Sequence, residues 1–178
     1  MVWNVRTLIV LVKYGIRWSS MAIVQTMCTS FKAEVAQGLH NFTRTTGNVF
    51  KLALYVATAN LGADTTVYTS TGEVPSSGTN YTAGGVALTN ITPLSSGTTG
   101  YWSFDDATFT NVTLSCAGAL IYNSTNGNRA VCVLNFGQTI TKNASNLIVT
   151  FPPMGATESV LRIAWWKKQK RVIKFLAG

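Results

Sequence analysis

Charge is scarce in this chain. Asp, Glu, Lys and Arg make up 11% of its 178 residues, less than half the roughly 25% of an average globular protein. Threonine, serine, asparagine and glycine stand where charges are missing, which suits strands joined by turns and disfavours long helices with a charged solvent face. Histidine is scarcer still. His40 is the single one, so a Ser-His-Asp triad or a histidine-based metal site would have to be built on it. It follows a candidate helix and precedes Asn41-Phe42, a place for capping or surface work rather than catalysis. The apolar run Leu8–Val12 is cut by Lys13, far short of the roughly 20 residues that span a bilayer. Lys13 and Arg17 also stand where a signal peptide would place its cleavage site.

Cysteine is too sparse and too scattered for a disulfide framework. Cys116 and Cys132 fall on one face of a predicted hairpin, about four residues apart along the ladder, or roughly 13 Å at strand rise, which is too far to bridge. Cys28 lies in the candidate helix. All three read as small buried hydrophobes, compatible with a reducing cytoplasm.

The formal net charge of +8 is unevenly placed. Residues 1–20 hold Arg6, Lys13 and Arg17 with no acid, and residues 165–178 hold Lys167, Lys168, Lys170, Arg171 and Lys174 with no acid. Residues 21–164 carry six acids against six bases and are neutral. That middle has no basic stripe with which to follow a phosphate backbone, so it is not expected to bind nucleic acid. The division predicts three parts: 1–20, an upstream extension or an amphipathic arm ahead of a second start at Met21; 21–164, a β-rich domain; and 165–178, a basic tail. On a helix Trp165, Gln169, Val172 and Leu176 would share a side of that tail. It reads either as a membrane-surface or nucleic-acid-contacting segment or as readthrough past Ala164.

The middle is organised around one hairpin, Val112–Phe136, VTLSCAGALIYNSTNGNRAVCVLNF. Val112, Leu114, Cys116, Leu120 and Tyr122 alternate with small or polar residues, and Ala130, Cys132, Leu134 and Phe136 resume the alternation. A three-residue Thr125-Asn126-Gly127 loop sets Leu120 against Cys132 and Tyr122 against Ala130, placing both apolar sets on one face. Before it, Thr26–Phe42 changes period. Met27, Phe31, Val35 and Leu39 recur at four-residue spacing, Thr29 or Ser30 can cap the start, and Gly38 sits near the end. This helix either closes the β core or packs on a neighbouring subunit. Strands are expected at Val49–Thr58, Asp64–Val74, Tyr81–Leu88 with a bulge at Gly84-Gly85, Tyr101–Phe104, Thr108–Val112, Leu147–Phe151 and Ser159–Ala164. Loops are expected at 75–78 and 93–100, and a turn at Lys142–Asn146. Many short strands with regular turn signals predict a mainly β fold, an antiparallel sandwich or barrel-like domain with one short N-terminal helix.

The chain offers little to catalysis. Asp105-Asp106 are the only adjacent carboxylates, and sequence neighbours point apart on an extended chain, so a turn is expected there rather than a calcium site. Gly84-Gly85 lacks the lysine and spacing of a phosphate loop. Six Asn-X-Ser/Thr triplets begin at Asn41, Asn80, Asn90, Asn111, Asn123 and Asn143; in a chain this rich in Asn and Thr, turn chemistry produces them without glycosylation. Tyr101 and Trp102 follow a glycine-rich stretch and read either as a contact for a partner or sugar or as core. The candidate partner contacts are therefore Phe31, Val35, Leu39, Tyr101 and Trp102. No catalytic residue, cofactor or metal ligand is predicted.

The stretches MAIVQTMCTSFKAEVAQGLHNFT, FKLALYVATANLGADTTVYTSTGEV, GTNYTAGGVALTNITP, CAGALIYNS and RAVCVLNFGQ resemble a family of small virion structural proteins of tailed bacteriophages, over about residues 21–164. The resemblance implies a repeated, non-enzymatic, β-rich subunit, assembled in the bacterial cytoplasm and carried in the virion, with itself and other virion proteins as partners. A capsid decoration or cement-like role is the first expectation. A tail, baseplate or fibre-associated component using residues 75–80 and 94–100 is the second. A secreted carbohydrate-binding or adhesin module is an alternative of another class.

Overall fold

The computed structural model describes residues 22–164; the expectations for 1–20 and 165–178 lie outside the described residues. Its spine is the predicted hairpin, longer than the sequence suggests. Strand β6 runs Ala107–Asn123, and β7 runs Arg129–Val149. The expected strand at Thr108–Val112 is the start of β6, and the expected turn at Lys142–Asn146 is absorbed into β7. Both strands survive because bulges take up the irregular residues: the register shifts between Phe109 and Val112 and between Val112 and Leu114, while Asn111 and Ala144 adopt φ of 50° and 44°.

Ahead of the spine come β1 (Thr26–Met27), helix α1 (Thr29–Ala36), β2 (Phe50–Tyr55), β3 (Val86–Leu88), β4 (Asn90–Ser96) and β5 (Thr99–Phe104); β8 (Leu161–Ala164) follows it. Among the described residues they form two antiparallel sheets, of order β1-β7-β6-β2-β3 and β4-β5-β8. The fold is thus mainly β with one short helix near the N-terminus, and neither sheet closes into a barrel.

The two sheets meet in an aromatic core. Phe50 from the larger sheet lies 5.7 Å, centroid to centroid, from Phe104 of the smaller, and Phe42, from the segment after α1, stacks on Phe50 at 4.3 Å. Phe31, Phe50, Leu52 and Tyr55 are fully buried, and each such large side chain contributes about 1.5–3 kcal/mol by leaving water.

Helix α1 is shorter than Thr26–Phe42. Cys28, not Thr29 or Ser30, occupies the N-cap, in extended conformation and without a side-chain cap bond, because Thr26 and Met27 pair with Val133 and Cys132 as a strand. Its end follows the glycine signal. Gly38 takes φ +71°, its N–H donates to Val35 O at 3.1 Å, and Leu39 N–H reaches Glu34 O at 3.1 Å, the paired bonds of a Schellman stop.

Three further expectations are corrected. Residues 93–100 are not a loop: Leu94 pairs with Tyr101 and Ser96 with Thr99 in a tight hairpin whose turn is Gly97-Thr98, with Gly97 at φ +58°. Asp64–Val74 is not a strand. Threonine hydroxyls form local turns there, Gly62 N–H donating to Thr65 Oγ1 at 3.0 Å and Thr71 N–H to Thr69 Oγ1 at 3.2 Å, and these compete with ladder pairing. Of Tyr81–Leu88, only Val86–Leu88 is strand, since Gly84 and Gly85 turn with φ of 83° and 75°. A Cβ on Gly85 would lie 1.8 Å from Leu52 O, so glycine is required where this turn docks on β2.

Candidate functional site

Two buried polar clusters hold the groups with chemical potential. The first surrounds His40, whose side chain is fully shielded. Its Nε2 lies 2.8 Å from Glu34 Oε2 on α1, and its Nδ1 lies 3.0 Å from Asn123 Nδ2 at the end of β6. The carboxylate accepts and the amide nitrogen donates, so the ring is the neutral tautomer with its proton on Nε2. Phe31 packs edge-on to the imidazole at 4.8 Å. Burial lowers the His40 pKa from the usual histidine value, against the raising influence of Glu34, with Arg129 adding to the lowering. Arg129 Nη1 closes the cluster on Glu34 Oε1 at 2.8 Å. Both ring nitrogens are therefore committed inside the protein, and neither is free to take a proton from a nucleophile or to bind a metal.

The second cluster mends a gap in the larger sheet. The outer edge of β2 is covered by β3 at Phe50–Leu52, then by Gly72–Val74, where Val74 N–H donates to Leu54 O and Val56 N–H to Gly72 O. Between them Leu54 N–H has no strand to meet. It donates instead to Tyr81 Oη at 3.0 Å, and the Tyr81 hydroxyl donates to Glu73 Oε1 at 2.6 Å. Tyr68 and the Gly84 N–H also donate to the Glu73 carboxylate, while Tyr122 donates to Gly84 O at 2.7 Å. Burial pushes the Tyr122 phenol up to about 12 and raises Tyr55, Tyr68 and Tyr81 as well. These phenols act as fixed donors. An orphaned strand N–H in the core would cost about 1–3 kcal/mol, which explains the placing of a carboxylate here.

The sequon asparagines serve the same purpose. Asn123, fully buried, caps its own turn, its Oδ1 accepting from Thr125 N–H and Asn126 N–H. Asn90 donates to Asn48 O at 3.0 Å, Asn80 to the carbonyls of Thr110 and Asn111, and Asn41 accepts from Thr43 N–H. Asn90 and Asn123 are buried and offer no surface for a glycan. Asp105 and Asp106 diverge: Asp105 pairs with Arg44 at 2.8 Å on the exposed surface, and Asp106 accepts the Phe151 N–H. Among the described residues no group of three or more His, Cys, Asp or Glu could hold a metal ion. The three cysteines are free and buried, and burial pushes Cys28 and Cys116 up to about 11 and raises Cys132 further.

Of the candidate contact residues, Phe31 is fully buried and Trp102 is 6% exposed. Both join the aromatic core, Trp102 lying 5.3 Å from Phe42, so neither is an exposed aromatic platform. Val35 and Leu39 are half-buried; Val35 and Trp102 border a shallow hollow of about 470 Å³, with Phe42 and Pro93 beside them. Tyr101 is half-buried on the smaller sheet, in a row with Leu94 and Arg162. A larger cleft of about 600 Å³, which sequence patterns do not disclose, runs beside β7, lined by Met27, Phe136, Ile140 and Val160 with Glu158 and Arg162 among its polar residues.

The fold and these clusters define a two-sheet antiparallel β protein in which Asn123, Asn90 and the Tyr81–Glu73 pair close its own turns and a strand gap. No protein-family model, curated protein or solved structure matches the chain.

Proposed function

We propose that this chain is a non-enzymatic structural subunit of a tailed-bacteriophage virion, and that it decorates or cements the capsid shell. The resemblance of residues 21–164 to small virion proteins suggests the class. The observation that carries the reading is the use made of the polar residues: His40 and Glu34 are bonded to each other, and Glu73 and the buried asparagines are occupied in closing turns and a strand gap. What remains on the surface is contact-forming. The outer stretch of β6 and β7 exposes Thr108, Thr110, Thr113, Ser115, Thr139 and Thr141, a hydroxyl-bearing face with no charge among them. Surfaces of soluble domains ordinarily carry about 25–35% charged residues, so an uncharged face suits packing against copies of the same chain or other virion proteins. The neutral middle also lacks the basic stripe of a nucleic-acid binder, and three free cysteines suit assembly in the host cytoplasm.

The β4–β5 hairpin favours the second placing, in the tail, baseplate or a fibre: it is exposed from Thr92 to Thr98, with Leu94 56% exposed. The carbohydrate-binding alternative loses its main support with the burial of Trp102. Mass analysis of intact particles coupled to cryo-electron microscopy tests the reading. Many copies on the shell are expected. A few copies at the tail would move the assignment to the second placing, and absence from the particle would overturn it.

A further inference from the structure

The β6–β7 turn is fastened to the segment following α1 by a short chain of hydrogen bonds that runs through His40. Asn123 Nδ2 donates to His40 Nδ1 at 3.0 Å and to Asn48 Oδ1 at 3.0 Å. Asn126 Nδ2 donates to Leu39 O at 2.8 Å, and Ser124 and Thr125 bind Val49 through Ser124 Oγ to its carbonyl and its N–H to Thr125 Oγ1, both at 2.8 Å. The Asn123–His40 bond requires an unprotonated Nδ1. A proton there would set an N–H against the Asn123 amide NH₂, donor against donor. Asn123 cannot relieve this by turning its amide over, because its Oδ1 already accepts both Thr125 N–H and Asn126 N–H in the turn. The ring cannot turn away either: Nε2 is held by Glu34, and Phe31, Phe42 and Phe50 enclose it at centroid distances of 4.8, 6.3 and 6.2 Å.

We infer that His40 is an acid-sensitive latch, whose protonation unfastens the Asn123–Asn128 turn from the segment Leu39–Val49. The charged groups facing it are Glu34 from α1 and Arg129 from β7; β2 presents Phe50 and β6 presents Asn123, neither charged. Burial lowers the latched His40 below the usual 6.5, so the opened state binds the proton more readily. Opening is therefore suppressed above 6.5 and favoured as pH falls from 6.5 toward the latched value, by up to about tenfold per pH unit for the one proton taken up.

Amide hydrogen exchange on the full chain between pH 7.5 and 5, corrected for intrinsic rates, tests the latch. Amides of 39–48 and 123–128 are expected to lose protection as pH falls from 6.5 toward the latched value, by up to about tenfold per unit, while Lys51–Tyr55 stay protected. His40→Gln, which can accept from Asn123 and donate to Glu34 without titrating, is expected to abolish that dependence, and Glu34→Gln to retain it. Equal acid sensitivity in His40→Gln, or flat protection in the wild type, would overturn the latch. Should His40→Gln fail to fold, nitrogen shifts of the wild-type imidazole decide the matter. A neutral Nε2–H ring at pH 7.5, titrating together with the Asn123–Asn126 amides, is expected; a ring already protonated at pH 7.5, or titration of the two apart, contradicts it.

Discussion

The two halves of the β6–β7 ribbon belong to one hairpin and behave differently. The turn half, about 118–123 and 129–135, is flanked by β2 and β1. Ala119, Leu120, Ile121, Ala130, Val131 and Val133 are all fully buried there, so both faces are dry. The outer half, 107–117 and 138–149, keeps one face in and one out: Phe109, Val112 and Leu114 are buried while Thr108, Thr110 and Thr113 are exposed. The turn half holds its geometry by packing. The outer half holds its bulges by side-chain caps, Asn146 Oδ1 accepting Asn111 N–H and Thr113 Oγ1 accepting Ala144 N–H, both at 2.9 Å.

This difference decides what could be read in advance. Tyr122 does face Ala130, as the three-residue loop predicts, but Val131 bulges and moves Ile121 opposite Cys132 and Leu120 opposite Val133. Alternation specifies register only where a one-residue slip would wet the core, and in the turn half it would not. In the outer half, alternation was legible while strand length was not, because Lys142–Asn146 has turn composition and is kept in β7 by its pairing with Val112 and Leu114 and by the Asn146 and Thr113 caps. The mainly β class, the short helix and the Gly38 stop were legible. The His40–Glu34–Asn123 and Tyr81–Glu73 clusters were not: Glu34 and His40 lie six residues apart and Glu73 and Tyr81 eight, but the groups that give these pairs their purpose, Asn123 and the Leu54 N–H, come from distant strands.

Substitutions in the two halves sharpen the contrast. Leu120→Ala, in the fully buried row, is expected to cost about 2–5 kcal/mol in denaturant unfolding. Gly118→Ala should follow at about 1–3 kcal/mol, because its Cβ would lie 2.4 Å from Leu134 O and 2.8 Å from Ile23. Gly137→Ala, at the entry to the outer half, meets nothing within 4 Å but adopts φ +73°, so a loss of about 1 kcal/mol is expected from backbone strain alone. Thr108→Ala, on the exposed face, should stay within about 0.5 kcal/mol of the parent. A Thr108→Ala loss matching that of Leu120→Ala would break the distinction between the halves. Thiol labelling extends it: Cys116 and Cys132, held up by burial, should react at pH 8 only once the chain is unfolded.

Residue-resolved hydrogen exchange at neutral pH tests the division of the ribbon most directly. Amides bonded within 119–122 and 131–134 are expected to exchange only through global unfolding, while those of 139–146 exchange about a hundredfold faster or more through local opening. Equal protection along both halves, or the stronger protection in the outer half, would contradict it.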